Sequence, residues 1–291
     1  GAVPLEQICN QGLCNSTVAP CFGKDVKILV KYNCTIVSNK EIIFKIFIFN
    51  NFKQRLLPLI KLYDKKQYNY AKHILDIEPE FGTDTERGII TATLKVIDDT
   101  PIYYTLDGTE PTTESALYTA PIEITGACTL KAKGIGERGA TRTLTEEFYF
   151  SKATAKPITM LQPIHEKYTF KGGITLVDGL KGTPNYRTGR WLGFCLTDLE
   201  AVIDLKKEEE ISRVSFNTSV DKGDWVFDLL GLTVSASNDG ENYTILFDEE
   251  YPDLTAEDEN RIYEHKAEFE PTKARYVKIK ALSDRDMPAW H

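Results

Sequence analysis

The chain has 291 residues, of which 42% are hydrophobic and 27% charged, and its formal net charge is −8. These values fit a soluble globular protein of two or three domains rather than an unfolded chain. Binding to nucleic-acid phosphates needs a concentrated basic face, which the sequence lacks, so nucleic acid is excluded as a partner. The longest apolar stretch, Ile42 to Phe49, is far shorter than the roughly 20 residues of a membrane span.

Residues 1–50 give no recognisable fold and stay unassigned. They hold four of the six cysteines, Cys9, Cys14, Cys21 and Cys34. A zinc or disulfide framework is one interpretation, but the spacing lacks the paired CxxC knuckles of structural zinc sites. Unpaired thiols are the alternative that we favour.

A short amphipathic helix is predicted next, within residues 51–75. Its apolar residues recur at three- and four-residue spacing, at Phe52, Leu56, Leu59, Ile60 and Tyr63. After His73 the period changes to strict alternation, which indicates a domain boundary near residue 76.

Residues 76–152 show the pattern of short, half-buried antiparallel strands. Apolar and polar residues alternate in Ile90 to Val96, in Ile102 to Leu106 and in Cys128 to Ala132. Asp107 to Pro111 is interpreted as a hairpin turn rather than a catalytic group, because its Gly and Pro are turn residues. The pattern predicts a small immunoglobulin-like β-sandwich.

A second β-sandwich is predicted for residues 153–291, after a linker over Ser151 to Pro163. Alternation resumes in Leu199 to Leu205, Leu232 to Ser237 and Arg275 to Lys280. The predicted fold class is therefore mainly β, with two tandem sandwiches after a short N-terminal α-helical remnant.

Two further features of the second sandwich are interpreted as surface features. The acidic stretch Asp248 to Asn260 is predicted to be a solvated loop. His165 and His265 have no nucleophile or carboxylate constellation beside them in the sequence, and both are predicted to be surface residues.

Three consecutive stretches resemble modules of carbohydrate-active enzymes. Phe52 to His73 resembles the last helix of the catalytic barrel in family 20 glycoside hydrolases, the β-N-acetylhexosaminidases. Pro101 to Thr112 (PIYYTLDGTEPT) is similar to the chitobiase/hexosaminidase C-terminal module that follows this barrel in enzymes of gut Bacteroidetes. Four stretches of the second sandwich resemble the discoidin domain: Leu176 to Gly179, Trp191 to Phe194, Ala201 to Leu205 and Ser237 to Tyr243. This domain, also called coagulation factor 5/8 type C, has a galactose-binding-like jelly-roll fold that includes the family 32 carbohydrate-binding modules.

The resemblance implies an accessory region rather than a complete enzyme. Catalysis in the family uses an Asp-Glu pair, in which the Glu protonates the leaving oxygen and the Asp orients the substrate's acetamido group. No such pair occurs in a strand-end context before residue 76, and fifty residues cannot form eight β/α units. The resembled discoidin domain would continue into a final strand beyond His291, so the second sandwich is expected to be truncated.

The preferred hypothesis is the non-catalytic C-terminal accessory region of a β-N-acetylhexosaminidase-like glycoside hydrolase, located in the secreted, periplasmic or cell-surface compartment. Its expected partners are glycans containing N-acetylhexosamine or galactose, and the catalytic domain of the same protein. One alternative is a structural spacer or protein-interaction module without a sugar ligand. A self-sufficient enzyme is the third hypothesis, and we expect no such activity.

Sugar contacts are predicted in the end loops of the second sandwich. A pyranose ring needs an aromatic face and paired polar groups, which a sandwich supplies from its loops. Three loop clusters place a tryptophan beside charged residues, and the predicted contacts are Arg190, Trp191, Asp224, Trp225, Trp290 and His291. The alternatives are core packing for Trp191 and Trp225, and a chain end without fixed position for the last two residues.

A calcium site is implied by the discoidin resemblance, although no cofactor is required. The implied ligands are the carboxylate of Asp178, backbone carbonyls such as that of Leu180, and Thr183. Calcium takes six to eight oxygens, and a carboxylate from the final strand would normally complete the set. A plain turn is the alternative.

Overall fold

A computed structural model describes residues 55–283 of the protein. The chain divides after Tyr70 into two compact units, the second of which begins at Ala71. The predictions for the four N-terminal cysteines, for the apolar stretch before residue 50 and for Trp290 and His291 lie outside the described residues. Within residues 55–283, no helix is long and apolar enough to cross a membrane.

The described part of the first unit contains the predicted helix. Residues 55–66 are helical, and Ile60 on this helix is 2% exposed. The helix ends because Gln67 adopts a left-handed backbone (φ 55°) and Tyr68 N–H bonds to the Tyr63 carbonyl at 2.9 Å. Lys72–Leu75 forms a separate 3-10 turn of the second unit.

The first module of the second unit is a β-sandwich. Its strands are β1 (Glu78–Asp84), β2 (Ile89–Lys95), β3 (Ile102–Thr105), β4 (Ala116–Leu117), β5 (Ile122–Ile124), β6 (Cys128–Gly136), β7 (Gly139–Ala140) and β8 (Leu144–Phe148). One sheet has the order β1-β2-β5 and the other β4-β3-β6-β7, with β8 paired to β6. The core between them includes Ile90, Ala92, Leu94, Ile124, Leu130 and Ala132. The predicted alternation is confirmed in β2 and β6, where every second residue is buried.

The second module is built on one antiparallel sheet with two unusually long strands. Its strands are β9 (Ile158–Met160), β10 (Leu199–Ser219), β11 (Leu229–Ser237), β12 (Thr244–Glu250) and β13 (Ile262–Ser283), in the sheet order β12-β11-β13-β10-β9. The register of β10 against β13 shifts between Asp204 and Glu209 and again between Ile211 and Arg213. Such bulges bend a strand, and buried residues from both halves of β10, Leu205 and Ile211, join one core.

The predicted linker between the modules is packed in part. Ala155 is fully buried, and its N–H donates to the Val177 carbonyl at 2.8 Å. Ile158–Met160 forms strand β9 on the edge of the second sheet. The acidic stretch is also partly corrected, since residues 248–250 belong to strand β12 and only residues 251–261 form the loop between β12 and β13.

The two modules contact each other through a loop that follows Val177. The Gly179 carbonyl accepts Tyr149 N–H at 2.8 Å, and Leu180 packs against the core of the first module. Lys171 Nζ donates to the Phe81 carbonyl at 2.8 Å. The modules are therefore joined by hydrogen bonds to main-chain carbonyls and by apolar packing rather than by a tether.

The prediction that His265 is a surface residue is wrong. Its side chain is 10% exposed, and Nε2 lies 2.8 Å from Oδ1 of Asp228, which is 37 residues away in the sequence. Thr218 Oγ1 donates to the same Asp228 oxygen at 2.6 Å. The fold thus builds a largely buried polar cluster whose members no local sequence pattern connects.

This cluster predicts a stability that depends on pH. Burial acts to raise the pKa of Asp228, but hydrogen bonds from His265 and Thr218 outweigh it and lower the pKa overall. A depressed carboxyl pKa stabilises the fold above the unfolded value of about 3.9, and this stability is lost as pH falls through the folded-state pKa. We expect Asp228→Asn to lose about 1–2 kcal/mol of unfolding free energy at pH 7, measured by urea denaturation. The difference from the parent should shrink below about pH 4; an equal difference at pH 3 and pH 7 would contradict this account.

Candidate functional site

A tight loop presents an exposed tryptophan on the second module. The main chains of Asp221 and Val226 exchange two hydrogen bonds of 2.9 and 3.0 Å, which close the loop. Lys222–Asp224 forms a 3-10 turn, and Trp225 follows it in the left-handed conformation with φ 61°. Trp225 is 64% exposed. The core alternative for this tryptophan is therefore wrong.

A second turn lies against this loop. Tyr186–Thr188 is a 3-10 turn that begins after Asn185, whose side chain accepts Arg187 N–H at 3.0 Å. Gly189 ends this turn with a φ of 82°, a left-handed conformation that favours glycine. The turn thereby places the side chains of Tyr186 and Arg187 next to the Asp221–Val226 loop.

Asp224 joins the two turns. Its Oδ2 accepts a hydrogen bond from the Tyr186 hydroxyl at 2.6 Å and one from Arg187 Nη2 at 2.6 Å. Tyr186 is 8% exposed, whereas the side chains of Arg187 and Asp224 are 61% and 41% exposed. A buried tyrosine thus anchors an exposed Arg-Asp pair in the turn that Trp225 follows.

The electrostatics of the cluster fix its protonation state. The Tyr186 hydrogen bond, with the Arg187 charge, lowers the pKa of Asp224. Burial, followed by the hydrogen bond to Asp224, raises the pKa of Tyr186 to about 12. At neutral pH the cluster therefore offers an ionised carboxylate and a guanidinium, whose remaining acceptor and donor positions can face a ligand.

Two other predicted sugar contacts, Arg190 and Trp191, make structural contacts instead. Arg190 Nη1 and Nη2 contact the two carboxylate oxygens of Glu146 in the first module, at 2.7 and 2.5 Å. The indole N–H of Trp191 donates to the Thr183 carbonyl at 2.9 Å, and its ring covers Gly182, where a Cβ would lie 2.1 Å from the ring. These contacts favour the packing alternative for Trp191 and show that Arg190 pairs with the first module.

The implied calcium loop contacts the first module, and its described donors do not fit calcium. Asp178 is 4% exposed, and its Oδ1 accepts Leu180 N–H at 3.0 Å. Burial raises its pKa, against the nearby charges of Lys171 and Arg190. Thr183 Oγ1 donates to the Asn185 carbonyl at 3.1 Å. One carboxylate beside a guanidinium falls short of six to eight oxygens, and residues 55–283 contain no group of three or more His, Cys, Asp or Glu residues suited to a metal.

Comparison with protein families supports the discoidin prediction. Residues 166–291 match the F5/8 type C domain, and residues 92–148 match a family described as Fn3 associated. The chain is thus a mostly β protein with a discoidin-type domain that contains Trp225 and the Arg187–Asp224 pair. Comparison with curated proteins found no match.

Several solved structures match parts of this chain. The lectin domain of lectinolysin, solved with Lewis B antigen, is 18% identical over 47% of this chain and 87% of its own, with a TM-score of 0.36. CpGH89CBM32-5 from Clostridium perfringens, solved with GalNAc-β-1,3-galactose, is 18% identical over 44% of this chain and 84% of its own, with a TM-score of 0.30. A Streptococcus pneumoniae fucose binding module is 15% identical over 46% of this chain and 88% of its own, with a TM-score of 0.34.

Proposed function

We propose that the discoidin-type domain binds neutral glycans at the surface formed by Trp225, Arg187 and Asp224. The single observation that carries this proposal is a tight turn in which the exposed Trp225 directly follows Asp224, whose exposed pair with Arg187 a buried tyrosine holds in place. An indole covers the apolar face of a pyranose ring, and a guanidinium with a carboxylate pairs with neighbouring hydroxyls. The match of residues 166–291 to the F5/8 type C domain, a family that the sequence resemblance links to family 32 carbohydrate-binding modules, supports the same ligand class.

The test is a titration of the protein with galactose, N-acetylgalactosamine and N-acetylglucosamine. The site is a surface rather than an enclosed cavity, so we expect dissociation constants of about 1 mM. Trp225→Ala and Arg187→Met should each weaken binding by about tenfold, measured by NMR shifts or calorimetry.

Ile245→Ala is the matched control. Ile245 is 61% exposed on the edge strand β12, so this change also removes an exposed apolar side chain. Its affinity should equal that of the parent. If no sugar binds the parent at tens of millimolar, or if Ile245→Ala weakens binding as much as Trp225→Ala, the proposed site is wrong.

We also propose that this region serves a β-N-acetylhexosaminidase-like glycoside hydrolase in a secreted, periplasmic or cell-surface setting. Support comes from the order of the three resemblances along the chain, including PIYYTLDGTEPT in the first module. Tethering to a catalytic domain would raise the effective concentration of a weakly bound glycan. The test is an assay of this chain alone with a nitrophenyl N-acetylglucosaminide. Release of nitrophenol would contradict an accessory role.

A bracing role is the second candidate function, and the contact between the modules supports it. The main-chain bond from Tyr149 to Gly179 and the Glu146–Arg190 ion pair fix one module on the other. Such a joint suits a rigid spacer. This role needs no ligand, so it is the function that would remain if the titration showed no binding.

A further inference from the structure

The ammonium group of Lys222 is enclosed by main-chain carbonyls of the β12–β13 loop, residues 251–261. Lys222 Nζ donates to the carbonyl oxygens of Ala256 at 2.7 Å, of Thr255 at 3.4 Å and of Asp258. Lys222 N–H also donates to Asn260 Oδ1 at 3.0 Å. Backbone and side chain of one residue therefore hold the same loop.

The Lys222 ammonium group lies where three carbonyl groups of this loop converge. Asp258 Oδ2 accepts both the N–H and the Oγ1 hydroxyl of Thr255, at 2.7 and 2.9 Å, so the segment forms a compact turn. Carbonyls gathered on one side of a turn repel one another, and an ammonium group with three donors offsets that repulsion.

Lys222 also supports Trp225 directly. Its carbonyl accepts Trp225 N–H at 3.2 Å, and Trp225 has a φ of 61°, a conformation that non-glycine residues adopt only when their surroundings enforce it. The same 3-10 turn includes Asp224, which binds Tyr186 and Arg187. The turn that presents the site is thus fixed on one side by Tyr186 and on the other by the β12–β13 loop.

We propose that Lys222 is a positioning residue, which orients Trp225 for ligand binding by locking the β12–β13 loop against the site. Its effect on affinity rests on the proposed glycan function, whereas its effect on the position of Trp225 does not. The substitution Lys222→Met keeps the length of the side chain and removes the donors and the charge. Lys273→Met is the matched control, because Lys273 is an exposed lysine of β13 outside this cluster.

The decisive readout is the 19F NMR resonance of Trp225 in protein labelled with 5-fluorotryptophan, assigned by its absence from Trp225→Phe. Lys222→Met should shift or broaden this resonance and leave that of Trp191 unchanged. It should also speed cleavage after Glu257 and Glu259 by a glutamate-specific protease about tenfold. Lys273→Met should do neither. An unchanged Trp225 resonance together with an unchanged cleavage rate would overturn the proposal.

Two further measurements separate the possible failures. Lys222→Gln keeps two donors without the charge and should give intermediate effects. Circular dichroism of both variants shows whether each is folded, and Lys222→Gln carries the test if Lys222→Met does not fold. Where the parent binds sugar, Lys222→Met should weaken binding about tenfold. If the parent binds no sugar, the glycan proposal fails, while the resonance and the cleavage rate still decide the positioning role.

Discussion

Replacing Gly179 by alanine is expected to destabilise the protein by about 3–5 kcal/mol, because two independent costs add at this position. Gly179 has a φ of 72°, and a Cβ there would lie 2.7 Å from Ile90 Cδ1 and 2.9 Å from the Tyr149 carbonyl oxygen. The first cost is the left-handed conformation, and the second is a steric clash across the contact between the modules. Urea denaturation followed by circular dichroism measures the sum.

Gly172→Ala separates the two costs. Gly172 has a similar φ of 66°, but nothing lies within 4 Å of the position that a Cβ would take there. This variant should lose only the conformational part, about 1 kcal/mol. Equal losses in both variants would show that the modules do not press together at Gly179.

Periodicity predicted the strands well, because strand burial is a local property of the sequence. Residues 90, 92 and 94 alternate with polar neighbours, and all three are buried as this pattern requires. The helix was predicted from its apolar spacing, but its end was not, since that end depends on the left-handed backbone of Gln67, a residue type with no strong tendency to end helices. Tertiary contacts such as the one between Asp228 and His265 left no local signal at all.

The candidate site was predicted in part, for the same reason. Asp224 and Trp225 follow one another in a loop, so their proximity could be inferred from the sequence. Arg187 and Arg190 lie in one loop and are chemically identical, and only the fold shows that Arg187 bonds Asp224 while Arg190 bonds Glu146. The polar, glycine-rich context of Trp191 likewise did not reveal that its indole N–H donates a hydrogen bond to the Thr183 carbonyl.

The Glu146–Arg190 ion pair is expected to be a main support of the contact between the modules. Its side chains are only 12% and 24% exposed, so removing one partner leaves a poorly solvated charge. We expect Glu146→Gln to cost about 2 kcal/mol, less than the 3–5 kcal/mol of fully buried pairs because some solvent reaches both groups. Glu86→Gln is the control, since Glu86 pairs with Lys206 across the same contact but is 84% exposed; it should cost less than about 1 kcal/mol.

Arg190→Met should lower the unfolding free energy more than Glu146→Gln does, because the charge of Arg190 also stabilises the ionised form of Asp178. Burial raises the pKa of Asp178, and the Arg190 charge counteracts this effect. Without Arg190 the folded-state pKa of Asp178 rises further, so the folded state takes up a proton above the unfolded value of about 3.9. A raised carboxyl pKa makes folding less favourable as pH increases toward that pKa, so the cost of Arg190→Met should be smaller at pH 5 than at pH 7.

Urea denaturation at both pH values tests this sign, and a double-mutant cycle with Glu146→Gln should give a coupling energy of at least about 1 kcal/mol. A cost that is independent of pH, with additive single losses, would mean that Arg190 supports neither carboxylate.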